Sequence, residues 1–213
     1  FLIKDKKIFL RWFTSEVEMD LCGHATLATA HCLKTILKFS GNIFQFETLS
    51  GILVVEFKDG LYHLNFPSRM PKKIKIPSLL QQSINITPVY VFKARDYVLI
   101  YESEYEINNI IINRVPFDQL TLDPGGVIVT SEGDSCDFVS RFFTPKASIL
   151  EDPVTGSAHC SLIPFWASRL NKQKMLAKQL SLRGGTLYCE NLGERVLISG
   201  KAVTYSKGSF VIK

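Results

Sequence analysis

The sequence predicts an α+β fold of two similar domains, each a mostly antiparallel sheet wrapped around a central helix, with an active-site cleft between the domains. Two short motifs support this prediction: residues 22–25 (Cys-Gly-His-Ala) and 155–158 (Thr-Gly-Ser-Ala) each precede a largely apolar helix. An acid lies three or four residues before each glycine. Such a repeat indicates two related domains, and 213 residues with 46% hydrophobic content suffice for two cores.

The two helices that follow the motifs, predicted at 24–38 and 157–170, have apolar residues on most sides. This pattern is typical of a surrounded helix, so we expect a sheet to wrap each one. Pro164 should kink the second helix or remove one of its hydrogen bonds. The apolar positions are Ala25, Leu27, Ala28, Ala30, Cys32, Leu33, Ile36 and Leu37, then Ala158, Cys160, Leu162, Ile163, Phe165, Trp166, Ala167 and Leu170.

The segments between the helices predict the strands that surround them. Asp59-Gly60 is a strong hairpin signal. Three prolines beside a short lysine cluster favour a connection, so we assign residues 1–68 to the first domain, 69–87 to a linker and 88–213 to the second domain, whose last strand can return to the first. The predicted strands are 8–13, 43–48, 52–58, 61–66, 88–94, 96–101, 126–130, 137–142, 180–182, 186–190, 195–199, 202–205 and 210–212, with short helices at 104–110 and 117–120.

Composition and charge exclude several classes of function. The net charge of +5 comes from scattered lysines and arginines, whereas nucleic-acid binding favours a basic stripe with exposed aromatic residues. No apolar run approaches the roughly 18 residues that a membrane span requires. The five cysteines include no Cys-x-x-Cys pair, which is typical of a reduced, cytoplasmic protein. No further histidine, cysteine or carboxylate gives His31 or His159 metal-ligand spacing, so no metal site is predicted.

The chemistry is expected at the two helix starts. Gly156 and Ser157 are N-cap residue types, and the unpartnered N–H groups of a first helical turn bind anions. Asp152 stands beside that anion site, where it could act as a general acid or base on a carboxylate substrate. His24 lies at the other helix start, where the helix dipole should lower its pKa and favour a neutral imidazole. The alternatives are that Asp152 is only a turn residue and His24 only a capping-region histidine.

Other chemically active residues have simpler interpretations. Cys22 is most simply a small buried apolar residue. A hydrolase based on Cys22 and His24 is disfavoured, because residues two apart at a helix start do not obviously bring thiol and imidazole within hydrogen-bond reach. His31 and His159 are predicted to be structural, and Glu151 to face the solvent.

Five stretches carry a resemblance to a known family. The chain resembles the phenazine biosynthesis-like PhzF family, whose fold is that of diaminopimelate epimerase. The matching stretches are 11–14 (Arg-Trp-Phe-Thr), 18–28 (Glu-Met-Asp-Leu-Cys-Gly-His-Ala-Thr-Leu-Ala), 137–143 (Asp-Phe-Val-Ser-Arg-Phe-Phe), 151–159 (Glu-Asp-Pro-Val-Thr-Gly-Ser-Ala-His) and 181–185 (Ser-Leu-Arg-Gly-Gly).

The resemblance implies roles for particular residues. It places His24 and Asp152 in the pocket as catalytic residues, and Gly23, Gly156 and Ser157 around the substrate. It also implies a homodimer. In diaminopimelate epimerases a thiol at the Cys22 position pairs with a second thiol, and Thr155 occupies that second position here. Because a hydroxyl with an ordinary pKa cannot replace a thiolate, a two-thiol mechanism is disfavoured.

We therefore expect a cofactor-independent isomerase of a small carboxylate, which moves a proton at a carbon next to, or conjugated with, the carboxyl group. The alternative is a non-catalytic anion-binding or scaffold protein that retains the fold. The family's principal acid/base, a glutamate, would lie before Phe1, so we expect the natural protein to have additional N-terminal residues. Without the preceding strand, a flank of the first helix such as Ala28, Leu33 and Ile36 should be exposed.

Overall fold

The computed structural model describes residues 1–13, 18–122, 125–209 and 211. The helices are α1 (Gly23–Thr35), α2 (Ser78–Gln82), α3 (Glu104–Asn108), α4 (Arg114–Phe117) and α5 (Gly156–Leu170). The strands are β1 (Leu2–Lys4), β2 (Lys7–Phe9), β3 (Trp12–Phe13), β4 (Glu18–Met19), β5 (Ile43–Thr48), β6 (Gly51–Lys58), β7 (Leu61–Pro67), β8 (Lys72–Ile74), β9 (Tyr90–Lys93), β10 (Tyr97–Ile100), β11 (Val127–Glu132), β12 (Phe138–Phe143), β13 (Glu151–Asp152), β14 (Lys174–Gln179), β15 (Gly185–Asn191) and β16 (Arg195–Gly200).

One continuous, mostly antiparallel sheet joins the two halves of the chain. Its order is β1-β2-β5-β6-β7-β16-β15-β14-β12-β11-β10-β9-β8, with β13 paired to β12. The halves meet where β16 returns to β7, with Ile198 opposite Leu64. Parallel pairing occurs at β2–β5, β10–β11 and β12–β14. The predicted α+β class is therefore confirmed.

The hairpin between β6 and β7 forms where the sequence predicts it. Asp59 and Gly60 have φ angles of 51° and 76°, and Lys58 pairs with Leu61. Positive φ at both central residues is the requirement of the tight hairpin turn that Asp-Gly favours. This turn sets the register of the strands that pack against α1.

The two long helices differ in how completely they are enclosed. All residues of α5 from Gly156 to Ala167 are buried, as expected for a surrounded helix, and Pro164 lies within an uninterrupted helical segment. The buried residues of α1 are Gly23, Thr26, Ala30 and Leu33, whereas Ala28 and Leu37 are exposed. Helix α1 is therefore less completely enclosed than α5. The expected exposure of the α1 flank is correct for Ala28 but wrong for Leu33, which is fully buried.

Strand β12 separates two hydrophobic clusters. Phe138 and Phe142 belong to the cluster that contains the buried residues of α1 and α5. Val139 and Phe143 belong to a second cluster, which includes Leu80, Ile107 and Phe117 from α2, α3 and α4. Alternate residues of a strand face opposite sides, so β12 is buried on both faces. Within the described ranges, no helix has the length and apolar character needed to cross a membrane.

Several predicted elements differ in the structure. The strand predicted at 180–182 is wrong: the strand is β14, which ends at Gln179, and Leu182 is fully exposed. No strand forms at 202–205. The strand predicted at 8–13 divides into β2 and β3, and the short helix predicted at 117–120 ends at Phe117. The strand predicted at 210–212 lies outside the described residues except for Val211.

Regular structure also forms within the range predicted as a linker. Strand β8 pairs with β9 at the edge of the sheet, and α2 lies between them in the chain. The lysines of β8 are exposed, which suits an edge strand because charged residues there oppose pairing with another chain. The assignment of the domain boundary to 69–87 stays a prediction.

Candidate active site

The starts of α1 and α5 meet at a pair of glycines. A Cβ atom added to Gly23 would lie 2.9 Å from Gly156 Cα, and one added to Gly156 would lie 3.0 Å from Gly23 Cα. Real Cβ atoms do not approach backbone so closely, so any side chain here would force the helices apart. The predicted substrate-binding glycines therefore have a packing role. A ligand must lie beside their contact, because no room remains between them.

The first turns of both helices are free of side-chain caps. The N-cap residues are Cys22 and Thr155, not the Gly-Ser pair that the sequence predicted, and neither makes a side-chain cap hydrogen bond within the described structure. In contrast, Ser103 and Asn113 cap the short helices α3 and α4 by accepting backbone N–H bonds. Uncapped first-turn N–H groups attract anions, so both helix starts can contribute to an anion site.

Thr155 binds Asp152 instead of capping its helix. Its hydroxyl donates to Asp152 Oδ2 at 2.5 Å. Gln179, which is 1% exposed, holds the same turn: its Nε2 donates to the Asp152 carbonyl at 2.7 Å and to Thr155 Oγ1 at 3.2 Å, and its Oε1 accepts from Thr155 N at 2.8 Å. The Asp152 carboxylate is therefore held in one orientation at the start of α5.

His24 is exposed and lies close to Asp152. Its pKa is raised, first because of a hydrogen bond with Cys22 and also because of the negative charge of Asp152, while partial desolvation opposes the rise. The direction of this shift is opposite to the lowering that the helix dipole predicted. The two predicted catalytic residues thus share one site, where the charge of one acts on the proton affinity of the other.

Cys22 is half-buried and approaches the imidazole ring of His24. Its Sγ lies 3.7 Å from Nε2 and 3.9 Å from Nδ1, so the expectation that thiol and imidazole lie out of reach is wrong. Cys22 can therefore accept a hydrogen bond from a ring nitrogen of protonated His24, which is the contact that raises the pKa of this histidine most.

Arg95 is the centre of a network of charged residues that contacts both helix starts. The sequence analysis did not identify this residue. Arg95 Nη1 lies 3.1 Å from Asp20 Oδ1, and Nη2 donates to Ser157 Oγ at 2.9 Å. Its Nε lies 3.2 Å from the buried carboxylate of Asp96. Burial acts to lower the pKa of Arg95, but Asp96 and Asp20 more than offset it.

The remaining candidate residues have structural contacts. His159 is completely buried; its Nδ1 lies 2.9 Å from the Thr155 carbonyl, and burial lowers its pKa to about 4. His31 contacts Tyr62 and Thr204 through its two ring nitrogens. Both arrangements are consistent with the predicted structural roles.

The solvent-facing prediction for Glu151 is wrong. Arg141 Nε and Nη2 donate to its two carboxylate oxygens at 2.7 and 2.9 Å. The pair is only partly accessible, and Arg141 also donates to carbonyl groups at the end of α3. Glu151 therefore anchors the strand that leads to Asp152.

The candidate site lies outside two cavities of the described residues, which have volumes of about 510 Å³ and 280 Å³ and are not lined by His24 or Asp152. The larger cavity is lined by Gln179, Ser181 and Arg183, among others, so it adjoins the turn that carries Asp152. Across the described ranges, no three His, Cys, Asp or Glu side chains cluster as metal ligands.

Comparisons with known proteins identify the family of this chain. Residues 1–208 match the phenazine biosynthesis-like protein family. A protein of Pseudomonas aeruginosa named an uncharacterized isomerase is 46% identical over 201 residues, which cover 93% of this chain and 76% of that protein. The crystal structure of a PhzF-family phenazine biosynthesis protein of Enterococcus faecalis is 41% identical, with a TM-score of 0.90 over 98% of this chain and 80% of that one.

A more distant likeness concerns the fold alone. A hydroxyproline epimerase of Agrobacterium vitis is 10% identical, with a TM-score of 0.59 over 93% of this chain and 69% of that one. The family match over nearly the whole chain, the close relatives and the paired helix starts lead to one conclusion. This chain belongs to the phenazine biosynthesis-like protein family.

Proposed function

We propose that the protein is an isomerase that moves a proton at a carbon next to, or conjugated with, the carboxyl group of a small substrate, without a cofactor. The observation that carries the proposal is the meeting of His24 and Asp152 at two uncapped helix starts. The isomerase names of relatives such as the Pseudomonas protein support the reaction class. That the substrate is a carboxylate and that no cofactor is needed are both parts of this proposal.

The helix starts would bind the substrate and stabilise its intermediate. A carboxylate beside the Gly23–Gly156 contact would accept hydrogen bonds from first-turn N–H groups and from Ser157, which is 6% exposed. When the proton leaves the carbon, the electron pair of the C–H bond delocalises into the carboxyl group and raises its negative charge. Fixed N–H donors stabilise this developing charge more than the ground state, so the reaction would need no bound cation.

The proton would be handled by His24 and Asp152 together with a further acid or base. The raised pKa of His24 increases the fraction of its imidazolium, the form that can act as an acid, and the oriented Asp152 carboxylate can accept or direct a proton. The hydroxyl of Thr155 already donates to Asp152, so it does not act as a second base. For the main transfer, the family resemblance implies that this further group is a glutamate. Homodimer formation and cytoplasmic location stay predictions.

The proposal is tested by hydrogen exchange from carbon. The product of the full gene is incubated in D₂O with a panel of 2-amino, 2-hydroxy and unsaturated cyclic carboxylates, and ¹H NMR follows each C–H signal. We expect at least one compound to lose the signal of a proton next to, or conjugated with, its carboxyl group, and His24→Ala and Asp152→Asn to slow that loss strongly. Binding of these carboxylates without exchange in any of them would support the non-catalytic alternative.

A further inference from the structure

Arg95 stands where the two helix starts can be linked by one side chain. It lies in the turn between β9 and β10, Asp20 lies just before α1, and Ser157 is the second residue of α5. The two Nη atoms of its guanidinium point in different directions, one to Asp20 at 3.1 Å and the other to Ser157 Oγ at 2.9 Å. The same group therefore contacts both motifs of the candidate site.

The buried carboxylate of Asp96 fixes the guanidinium of Arg95. Asp96, which is 1% exposed, lies 3.2 Å from Arg95 Nε and 3.1 Å from Nη2 through its Oδ2. Its Oδ1 accepts from Gly126 N at 2.8 Å. A planar guanidinium bound along one edge by a fixed carboxylate has little freedom to rotate. Its remaining donors thus keep a constant direction toward Asp20 and Ser157.

The contact with Ser157 determines what that hydroxyl can offer a ligand. A serine hydroxyl has one donor hydrogen and two acceptor lone pairs. Arg95 occupies an acceptor position of Oγ, and its positive charge repels the hydroxyl hydrogen, which must point away from the guanidinium. Without this contact the hydroxyl could turn to a carbonyl of the preceding turn, as serines near helix starts often do.

We propose that Arg95 is a positioning residue, which fixes the Ser157 hydroxyl as a donor to a bound carboxylate and ties the Asp20 end of the first motif to the start of α5. This proposal depends on the proposed function at one point, because it takes Ser157 to be a ligand of the bound anion. Lysine cannot replace Arg95, because a single ammonium group cannot engage Asp20, Asp96 and Ser157 with the same fork geometry.

The test uses inorganic sulfate as a probe, so that it does not depend on turnover. Sodium sulfate is titrated into ¹⁵N-labelled protein, and the amide signals of Ser157 and Ala158 report the Kd. We expect Arg95→Lys and Ser157→Ala each to raise the Kd by about tenfold, as for loss of one hydrogen bond to a charged group. The double variant should bind no more weakly than Ser157→Ala. Arg195→Lys, which removes a partly buried arginine bound to Asn65, should leave the Kd unchanged.

The outcomes separate this inference from the proposed function. If Ser157→Ala leaves sulfate binding unchanged, the proposed role of Ser157 in anion binding fails. If Ser157→Ala weakens binding but Arg95→Lys does not, or if the two effects multiply in the double variant, Arg95 does not act through Ser157 and the inference is overturned. Should Arg95→Lys not fold, the guanidinium N–H signals of Arg95 in the wild type are followed in the same titration: a shift that fits the Kd from Ser157 supports the contact, and no shift contradicts it.

Discussion

The hydroxyl of Thr155 donates to Asp152 Oδ2 at 2.5 Å, although Thr155 is the N-cap residue of α5 and could have capped its own helix. The contact leaves the first-turn N–H groups open and fixes the carboxylate beside them. Gln179 stabilises the turn through three hydrogen bonds. The Thr155 side chain thus orients the Asp152 carboxylate instead of capping its own helix.

Loss of the Thr155 hydroxyl should impair the reaction more than the fold. Thr155→Val keeps the shape of the side chain but removes the donor to Asp152, so we expect the rate of C–H exchange to fall by about tenfold or more. Thr155→Ser should restore most of the rate. Thr130→Val, which removes another buried hydroxyl that is hydrogen-bonded far from the site, should lower stability without a comparable loss of rate. Equal rate losses at both positions would contradict this role.

The contact between Gly23 and Gly156 should not tolerate even the methyl group of an alanine. Gly23→Ala and Gly156→Ala each place a Cβ at about 3 Å from backbone atoms of the other helix, so we expect each to lower the free energy of unfolding by about 1–3 kcal/mol. Urea denaturation measures the change. In Gly200→Ala the nearest atom is Leu27 Cδ1 at 3.5 Å, an ordinary contact, so this control should be nearly neutral. Unchanged stability of both helix-start variants would show that the helices separate freely.

The pKa of His24 should depend on its two neighbours. Cys22→Ala removes the hydrogen bond that raises it most, and Asp152→Asn removes a negative charge, so NMR titration should show a lower His24 pKa in each variant. Asp118→Asn, which alters an acid paired with Arg114, should not change it. Because the folded-state pKa is raised, the stabilisation from protonated His24 is present below its unfolded pKa and is lost as pH rises through the folded value. An unaltered pKa in both variants would place His24 away from these groups.

The buried imidazole of His159 should cause the free energy of unfolding to decrease in mild acid. Its folded-state pKa is about 4 against an ordinary 6.5, so the unfolded state binds more protons between these values and stability decreases as pH falls from 6.5 towards 4. The contribution is up to about 3 kcal/mol. His159→Asn, whose amide can still donate to the Thr155 carbonyl, should reduce this decrease when unfolding is followed at several pH values.

The matched control for that measurement is His63→Gln, which replaces a half-buried histidine that contacts Ser199. It corrects for the general effect of removing one imidazole. If the His159 variant and the wild type lose stability equally between pH 6.5 and 4, the buried imidazole is not responsible for the acid sensitivity.

Local patterns in the sequence were sufficient for the parts of the fold that depend on neighbouring residues. The starts of α1 and α5 follow from glycine steps before apolar runs, and the β6–β7 turn follows from Asp59-Gly60. Strand β14 was missed because its inward positions are Met175, Ala177 and Gln179, a mixture that hides the alternation. The exposure of α1 at Ala28 was predicted, but the burial of Leu33 was missed because the apolar pattern does not reveal which faces other elements cover.

The candidate site could be predicted only where its residues belong to the two motifs. His24, Asp152 and Ser157 follow from their positions at helix starts. Arg95 and Gln179 act across long sequence separations, through contacts that the sheet topology creates, and neither spacing nor composition indicates them. The direction of the His24 pKa shift likewise required the positions of Cys22 and Asp152.

The central claim is that His24 and Asp152 form one proton-transfer site at the paired helix starts. Its most direct test is the rate of solvent deuterium incorporation into the best carboxylate of the panel, measured by ¹H NMR for the wild type, His24→Ala, Asp152→Asn and the distant control Asp118→Asn at equal folded fraction. The account predicts rates reduced at least about a hundredfold in the first two variants, as for loss of a general acid or base, and an unchanged rate in the control. Exchange at the wild-type rate in either His24→Ala or Asp152→Asn would contradict it.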